Sequence, residues 1–513
     1  MIERADGFIS LLRAKAETNP DGVFGDFEGQ PLTFAHIDHM SDAFAANLRR
    51  RGVARGDRVA AMLRNSPSSI AVVFGLAKAG AIWIPVNVRQ QGEGLRYILE
   101  HSDPKLIVAE ADLMETLHDS GATLPRTIVR SGGYAGTLDW ILSQPHTFDE
   151  GSPETDDLMA IMYTSGTTGP PKGVLVTHAM MRFAAEAVLL ASGAATDDVF
   201  FVWEPFFHIG GAQVLLLPLL TDVRLAMTSS FSASRFWDQV RAARATHIHY
   251  LGGILQILLK QPPDERDRTH DVRIAWGGGC PVETWLPFAE RFGVEIRECY
   301  GMTETSSIAT YNRNGEVGSV GQHTHWFDVM VAVDNGAAAP ASDVGIIAVR
   351  ERLAGPLFKG YFKADGLNET LFRDGWFSTG DLGVFDEAGN LYFKGRASDS
   401  VRHRGENVSA WEVESVAERH EDIEACAMIG VASDIGEQDI KLFIKPKRGR
   451  AVNVAALSDW LASRLAPYQT PRYVVVVDDF ERTPSERIMK HRLSKSTDDC
   501  WDRLSPANNT PAR

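Results

Sequence analysis

Between Leu32 and Val86 the chain switches between helical and strand patterns at short intervals, and this alternation restricts the possible folds more than any other feature. After Leu32-Thr33-Phe34, the apolar residues Ile37, Met40, Phe44 and Leu48 recur at the spacing of one buried helix face. Arg58 to Leu63 reads as a strand, Ser69 to Lys78 as a helix and Ala81 to Val86 as a second strand. Strands that alternate with helices build a parallel sheet covered on both faces, because each crossover helix packs back onto the sheet. The same rhythm returns from Met181 to Tyr300. From about Gly318 to Lys394 the texture changes to short strands such as Gly345 to Val349, separated by the turn signals Asp374-Gly375 and Gly389-Asn390. That predicts a small, mostly antiparallel β unit. Beyond Arg396 a compact α+β segment is expected, with a helix near Ala410 to Arg419 and strands near Ala425 to Val431 and Lys441 to Ile444. A domain boundary falls near residues 396 to 399.

A chain of 513 residues exceeds one ordinary core, so two or more domains are expected. Its 44% hydrophobic and 23% charged residues are those of a soluble globular protein. The formal net charge of -15 argues against nucleic-acid binding, which needs a basic footprint. Cys280, Cys299, Cys426 and Cys500 are scattered without a CxxC pair, which points to buried, inert thiols and away from a disulfide framework or a zinc site. No run approaches the roughly 18 apolar residues that span a bilayer. The longest, Ile70 to Val86, is broken by Lys78, Gly80 and Pro85. With no apolar leader after MIERADGFIS, a cytoplasmic enzyme without a membrane span is expected. The tail from Ser505 to Arg513 reads as disordered.

The most informative stretch is Tyr163-Thr164-Ser165-Gly166-Thr167-Thr168-Gly169-Pro170-Pro171-Lys172-Gly173. Gly166 and Gly169 let the backbone approach an anion, the hydroxyls of Thr164, Ser165, Thr167 and Thr168 can donate to phosphate oxygens, and Lys172 adds a positive charge. It is not the P-loop of kinases and motor ATPases, since Lys172 follows proline and no Ser or Thr comes after it. Composition alone favours a Gly/Thr-rich surface turn and stops at a possible phosphate loop.

The order of these residues resembles the signature loop of the adenylate-forming superfamily, which includes acyl-CoA synthetases, peptide-synthetase adenylation domains and luciferases. The resemblance runs from about Leu32 to Leu493. Pro205-Phe206-Phe207-His208-Ile209-Gly210-Gly211 is similar to the segment with a gating residue beside the acyl pocket, a place His208 takes, although a histidine among phenylalanines is more often a core residue. Gly278-Gly279-Cys280-Pro281 resembles the loop that lies against adenine. Tyr300-Gly301-Met302-Thr303-Glu304 matches the motif whose tyrosine stacks on the base, and the resemblance makes Glu304 the Mg²⁺ ligand. Ser378-Thr379-Gly380-Asp381-Leu382 implies that Asp381 accepts hydrogen bonds from the ribose, with Arg396 also reaching the nucleotide. Gly405-Glu406-Asn407-Val408 resembles the loop that lines the pantetheine tunnel in CoA ligases.

The resemblance implies an α/β fold with a large N-terminal domain, 1–396, of two parallel-rich sheets covered by helices plus a small β-barrel-like unit at about 318–394. A smaller, mobile α+β C-terminal domain, 397–513, completes it. The implied enzyme is an AMP-forming acyl-CoA ligase that uses ATP, Mg²⁺ and coenzyme A to activate a small-molecule carboxylic acid through an acyl-AMP. A stand-alone adenylation enzyme that loads a carrier protein and a nucleotide-binding pseudoenzyme are the alternatives, and a homodimer is the prior expectation. Two departures stand out. The family's hinge position is Ser398, followed by Asp399. Near the C-terminus, Arg482-Thr483-Pro484-Ser485-Glu486-Arg487-Ile488-Met489-Lys490 places Arg487 where the family carries its adenylation lysine. Arginine is bulkier and planar, so Lys490 is preferred over Arg487, with both kept open. Residues near Phe207 to Gln213, His249 to Gly253, Trp276 to Gly279 and Gly301 to Ile308 are expected to line the acyl pocket. The glycines at 277 to 279, 252 and 253 suggest room for a bulky or extended apolar acid.

Overall fold

The computed structural model describes residues 7–164, 171–333, 336–397, 400–403, 406–433, 438–465, 467, 469–482, 488–498 and 500–505. The expectation for the tail past Ser505 lies outside the described residues.

Two parallel-rich sheets form the N-terminal part. Among the described residues the larger has nine strands, ordered Gln322–His323, Thr310–Tyr311, Glu295–Tyr300, Ile274–Gly278, His247–Leu251, Val199–Val202, Arg224–Met227, Val23–Phe27 and Gln30–Thr33. The run from Glu295–Tyr300 to Val23–Phe27 is parallel, and antiparallel strands close its two edges. The second sheet orders Arg126–Arg130, Leu106–Glu110, Arg58–Met62, Ile82–Pro85, Leu158–Thr164 and Lys172–Thr177, parallel until its last hairpin.

The helix Phe34–Arg50 buries Ile37, Met40, Phe44 and Leu48, the face its periodicity predicts. Against it packs Pro67–Lys78, which is buried at every position from Ser69 to Lys78. This helix opens two residues earlier than periodicity suggests, because Ser66 and Ser69 form a reciprocal capping box and Pro67 fits the first turn. Lys78 ends it in the interior. Its Nζ meets Asp38 Oδ1 at 2.5 Å, Asp42 Oδ1 at 2.6 Å and the Asp38 carbonyl at 2.9 Å. Two carboxylates one turn apart thus offset the desolvation of a buried ammonium.

A third sheet, entirely antiparallel, joins Phe327–Ala332, Gly345–Glu351, Trp376–Phe385 and Phe372–Arg373, with Leu391–Arg396 paired to Trp376–Phe385. Its hairpin at Asp374-Gly375 has positive φ at both residues, 52° and 79°, as a tight two-residue turn requires. The smaller C-terminal part has a four-stranded sheet, Ile423–Ala432, Gln438–Pro446, Tyr473–Val476 and Trp501–Asp502, with helices Ala410–Ala417 and Val454–Ala462. It encloses its own core of Val401, Val413, Met428, Leu442, Leu457 and Leu461. Cys280, Cys299 and Cys426 are buried as free thiols, while Cys500 is only half-buried.

Candidate functional site

Parallel strands present their carboxyl ends on one edge of the sheet, and ligands of open α/β folds bind there. Tyr300 is the last residue of such a strand, and its Oη donates to Asp381 Oδ2 at 2.8 Å. Asp381 comes from the antiparallel sheet, directly across from Arg396 in register, with Arg396 Nε 3.5 Å from Asp381 Oδ1. Tyr300 and Phe393 also bring their rings to 5.9 Å. The contact therefore ties two sheets together through a carboxylate held on both oxygens.

After Tyr300 the chain turns sharply. A Cβ at Gly301 would sit 2.2 Å from the Ser307 carbonyl oxygen, so only glycine permits the approach. The 3₁₀ turn Thr303–Thr305 follows and directs Glu304 inward, where Oε1 accepts from Tyr361 Oη at 2.8 Å. Burial raises the Glu304 pKa, and the Tyr361 bond and the charges of Arg396 and Lys172 oppose it. Lys172 Nζ lies 5.2 Å from the Tyr361 ring centre. Thr164 stands opposite Lys172 in the hairpin, its Oγ1 donating to the Lys172 carbonyl at 3.5 Å. Thr164, Lys172, Tyr361, Glu304, Arg396, Asp381 and Tyr300 are thus linked in one chain of neighbours. Ser165, Gly166, Thr167 and Thr168 lie outside the described residues.

Gly278 ends the next strand, and Gly279 and Cys280 follow it. Glu298 fixes this loop: its Oε1 accepts from the amides of Gly279 and Cys280, the latter at 3.1 Å, and its Oε2 accepts from Tyr250 Oη. Burial pushes the Glu298 pKa up to about 7, against the lowering effect of these three bonds. The geometry corrects the reading of the glycine run at 277 to 279 as spare room. A Cβ at Gly277 would lie 1.9 Å from the Tyr250 carbonyl oxygen, and one at Gly279 would lie 3.1 Å from Gly252 Cα. These glycines admit neighbouring backbone, not substrate.

His208 caps the short helix Ile209–Val214, with its ring 4.7 Å from that of Phe207. Beneath this helix, Glu204 Oε2 lies 2.8 Å from His249 Nδ1, and both side chains are buried. Lys490 opens the 3₁₀ turn Lys490–Arg492 and pairs with Glu414 Oε1 at 2.9 Å. Arg487, Gly405, Ser398 and Asp399 lie outside the described residues.

The AMP-binding enzyme profile matches residues 12–362, and the AMP-binding enzyme C-terminal domain profile matches residues 412–487. The chain belongs to the AMP-binding enzyme family. It is 31% identical over 459 residues to a crotonobetaine/carnitine–CoA ligase of Escherichia coli O157:H7, covering 86% of this chain and 89% of that one. The fold matches the o-succinylbenzoate CoA synthetase of Bacillus subtilis in complex with the acyl-adenylate intermediate OSB-AMP, with a TM-score of 0.85, 25% identity and coverage of 95% and 98%. The same synthetase in complex with ATP and magnesium ion gives a TM-score of 0.83 at 25% identity, covering 94% and 98%. ATP-bound MatB from Rhodopseudomonas palustris gives a TM-score of 0.84 at 26% identity, covering 94% and 97%.

A family site needs a magnesium ligand, and the donor set fits one. Among the described residues no cluster of three or more His, Cys, Asp or Glu could hold a metal by itself. Glu304 offers one hard oxygen ligand within the influence of the Lys172 and Arg396 charges, which suits an ion that takes most of its shell from phosphate oxygens and water. Three residues of this neighbourhood escaped the sequence reading. Tyr361 lies 57 positions from Glu304, with no local signal to join them. Glu298 sits two residues before Tyr300 on the same strand, where the neighbouring charges of Glu295 and Arg297 gave no sign that this carboxyl alone is buried. Glu204 is the lone acidic residue of the apolar run from Val199 to Phe207, and that isolation is the signal that could have found it.

Proposed function

We propose that this chain is an AMP-forming acyl-CoA ligase that joins a carboxylic acid to coenzyme A at the expense of ATP. The observation that carries the reading is the convergence of Lys172, Glu304, Asp381, Arg396 and Tyr300 from three sheets. In the first step a carboxylate oxygen attacks the α-phosphorus, the bond to the β-phosphate oxygen breaks, and pyrophosphate leaves. In the second, the CoA sulfur attacks the acyl carbonyl, the acyl–oxygen bond breaks, and AMP departs. The enzyme's share is positioning and charge stabilisation.

Tyr300 and the Gly278–Cys280 loop receive the base, with Gly301 shaping the turn that follows Tyr300. Asp381 and Arg396 orient the ribose and Thr164, Ser165, Gly166, Thr167, Thr168, Lys172 and Thr303 meet the phosphates. Glu304 would hold Mg²⁺, which when bound would supply positive charge to offset that on the departing pyrophosphate. His208 borders the acyl pocket, Gly405 and its neighbours line the path of CoA, and Lys490, ahead of Arg487, reaches the reacting carboxylate during adenylation. That last role requires the 397–513 unit to turn relative to 1–396, and the separate core of the C-terminal part supports independent movement. A cytoplasmic homodimer completes the proposal; light scattering tests the dimer.

The experiment combines the protein, Mg²⁺-ATP and a panel of fatty, aryl and polycyclic acids, with and without CoA, and separates acyl-AMP from acyl-CoA by mass spectrometry. Acyl-CoA from one acid class is the expected result. Acyl-AMP that accumulates regardless of CoA would shift the acceptor to a carrier protein and overturn the CoA step.

A further inference from the structure

We propose that the buried Glu204–His249 pair recognises a hydroxyl group at the far end of the acid substrate, an inference that rests on the ligase reading. His249 and Trp276 are direct partners on neighbouring parallel strands, and Trp276 lies two residues before Gly278, roughly 7 Å along the strand. Glu204 follows the adjoining strand Val199–Val202 on the same face, since side chains alternate. The pair therefore sits one step deeper than the loop assigned to the nucleotide, where the tail of an acid attached to the α-phosphate would end.

The short helix headed by His208 closes this space. A Cβ at Gly210 would fall 2.5 Å from Glu204 Oε1, so glycine there keeps the carboxylate uncovered. Phe200, Val202, Trp203, Val214 and Trp276 supply the remaining walls of a cavity of about 10 Å³. Trp203 Nε1 donates to the His249 carbonyl at 2.9 Å, and the Trp276 ring lies 4.2 Å from the imidazole, so the histidine is fixed.

Glu204 is 5% exposed, and Oε2 is buried without a directed hydrogen bond, although His249 Nδ1 stands 2.8 Å away. A carboxylate has about four acceptor positions, and the imidazole occupies at most one of them. An apolar acid tail would leave this desolvated carboxylate unsatisfied, which costs far more than the contact gains. The group that fits must donate a hydrogen bond. It must also be small, because the cavity matches one water-sized oxygen and not a methylated ammonium or a ring. A hydroxyl meets both conditions: its proton goes to Glu204, and no proton transfer is required.

The test uses matched aryl and alkyl acids that differ only in a distal hydroxyl, each with an ammonium-ended counterpart, and follows pyrophosphate release. In the wild type the hydroxylated member is favoured in kcat/KM by on the order of 100-fold, the scale on which sites built around a substrate hydroxyl reject its absence. Glu204→Leu reduces that preference to within about threefold, and unchanged ATP affinity shows that the variant is folded. Glu204→Gln, which keeps the shape, retains a reduced preference. Equal use of both acids by the wild type would overturn the proposal and leave the ligase reading intact, as would a preference for the ammonium. ATP binding without pyrophosphate release from any acid would overturn both.

Discussion

Two ends of one catalytic edge are built differently. At the end proposed to take the nucleotide, Tyr300, Asp381, Arg396, Glu304 and Tyr361 satisfy one another through hydrogen bonds and an ion pair. At the acyl end, Glu204 and His249 are both buried, yet among the described residues the carboxylate has one ion-pair partner and a small space beside it. The first end is preorganised for a ligand that never changes. The second leaves a polar group waiting, and a desolvated acceptor discriminates most strongly when its partner must be supplied by the substrate.

The largest expected effect removes the charge at the nucleotide end. Glu304→Gln keeps a partner for Tyr361 but loses the charge proposed to hold the metal, and ATP–pyrophosphate exchange should fall by on the order of 100- to 1,000-fold with little change in Tm. Lys490→Ala should lower acyl-AMP formation by about 100-fold while thioester formation from supplied acyl-AMP holds. Equal loss in both half-reactions would remove Lys490 from the adenylation step.

Glu298 sharpens the contrast from the side of stability. Its carboxyl moves from 4.5 when unfolded to about 7 when folded, so the native state holds the extra proton between these values. Stability from this group is therefore fully present below pH 4.5 and declines as pH rises through 7, by on the order of 3 kcal/mol. Glu298→Gln should abolish that slope in a Tm-against-pH series, whereas Glu298→Ala, which strands three donors, should destabilise at every pH.

Smaller effects follow. Tyr361→Phe removes the bond that counters the burial of Glu304, so the Glu304 pKa rises further. Activity that needs ionised Glu304 should drop about tenfold near neutrality, with its acid limb displaced to higher pH. At the acyl end, Gly210→Ala presses a methyl group against the Glu204 carboxylate. It should raise KM for the acid by about fivefold and leave KM for ATP unchanged.

The family was legible in the sequence because the motifs that carry it are short contiguous runs. Tyr300 to Glu304, Ser378 to Leu382 and the loop before Lys172 each announce themselves, and the helix and strand periods between Arg58 and Val86 placed two strands and the helix between them within one or two positions. Tyr361 and Glu298 were hidden because their importance is purely spatial. The acyl end misled for a related reason. Glycines at 277 to 279 look like space in a sequence, but whether a missing side chain leaves a void or admits another backbone depends on how closely the strands approach.

That distinction bears on retargeting the enzyme toward other acids. Enlarging the pocket by varying residues 277 to 279 would strike the sheet itself, since the Tyr250 carbonyl already fills the place of a side chain at Gly277. Val214, on the opposite wall and borne by a short helix, is the position where volume can be exchanged without disturbing strand pairing. Catalysts with altered scope are to be sought there, in the roof of the pocket and not in its floor.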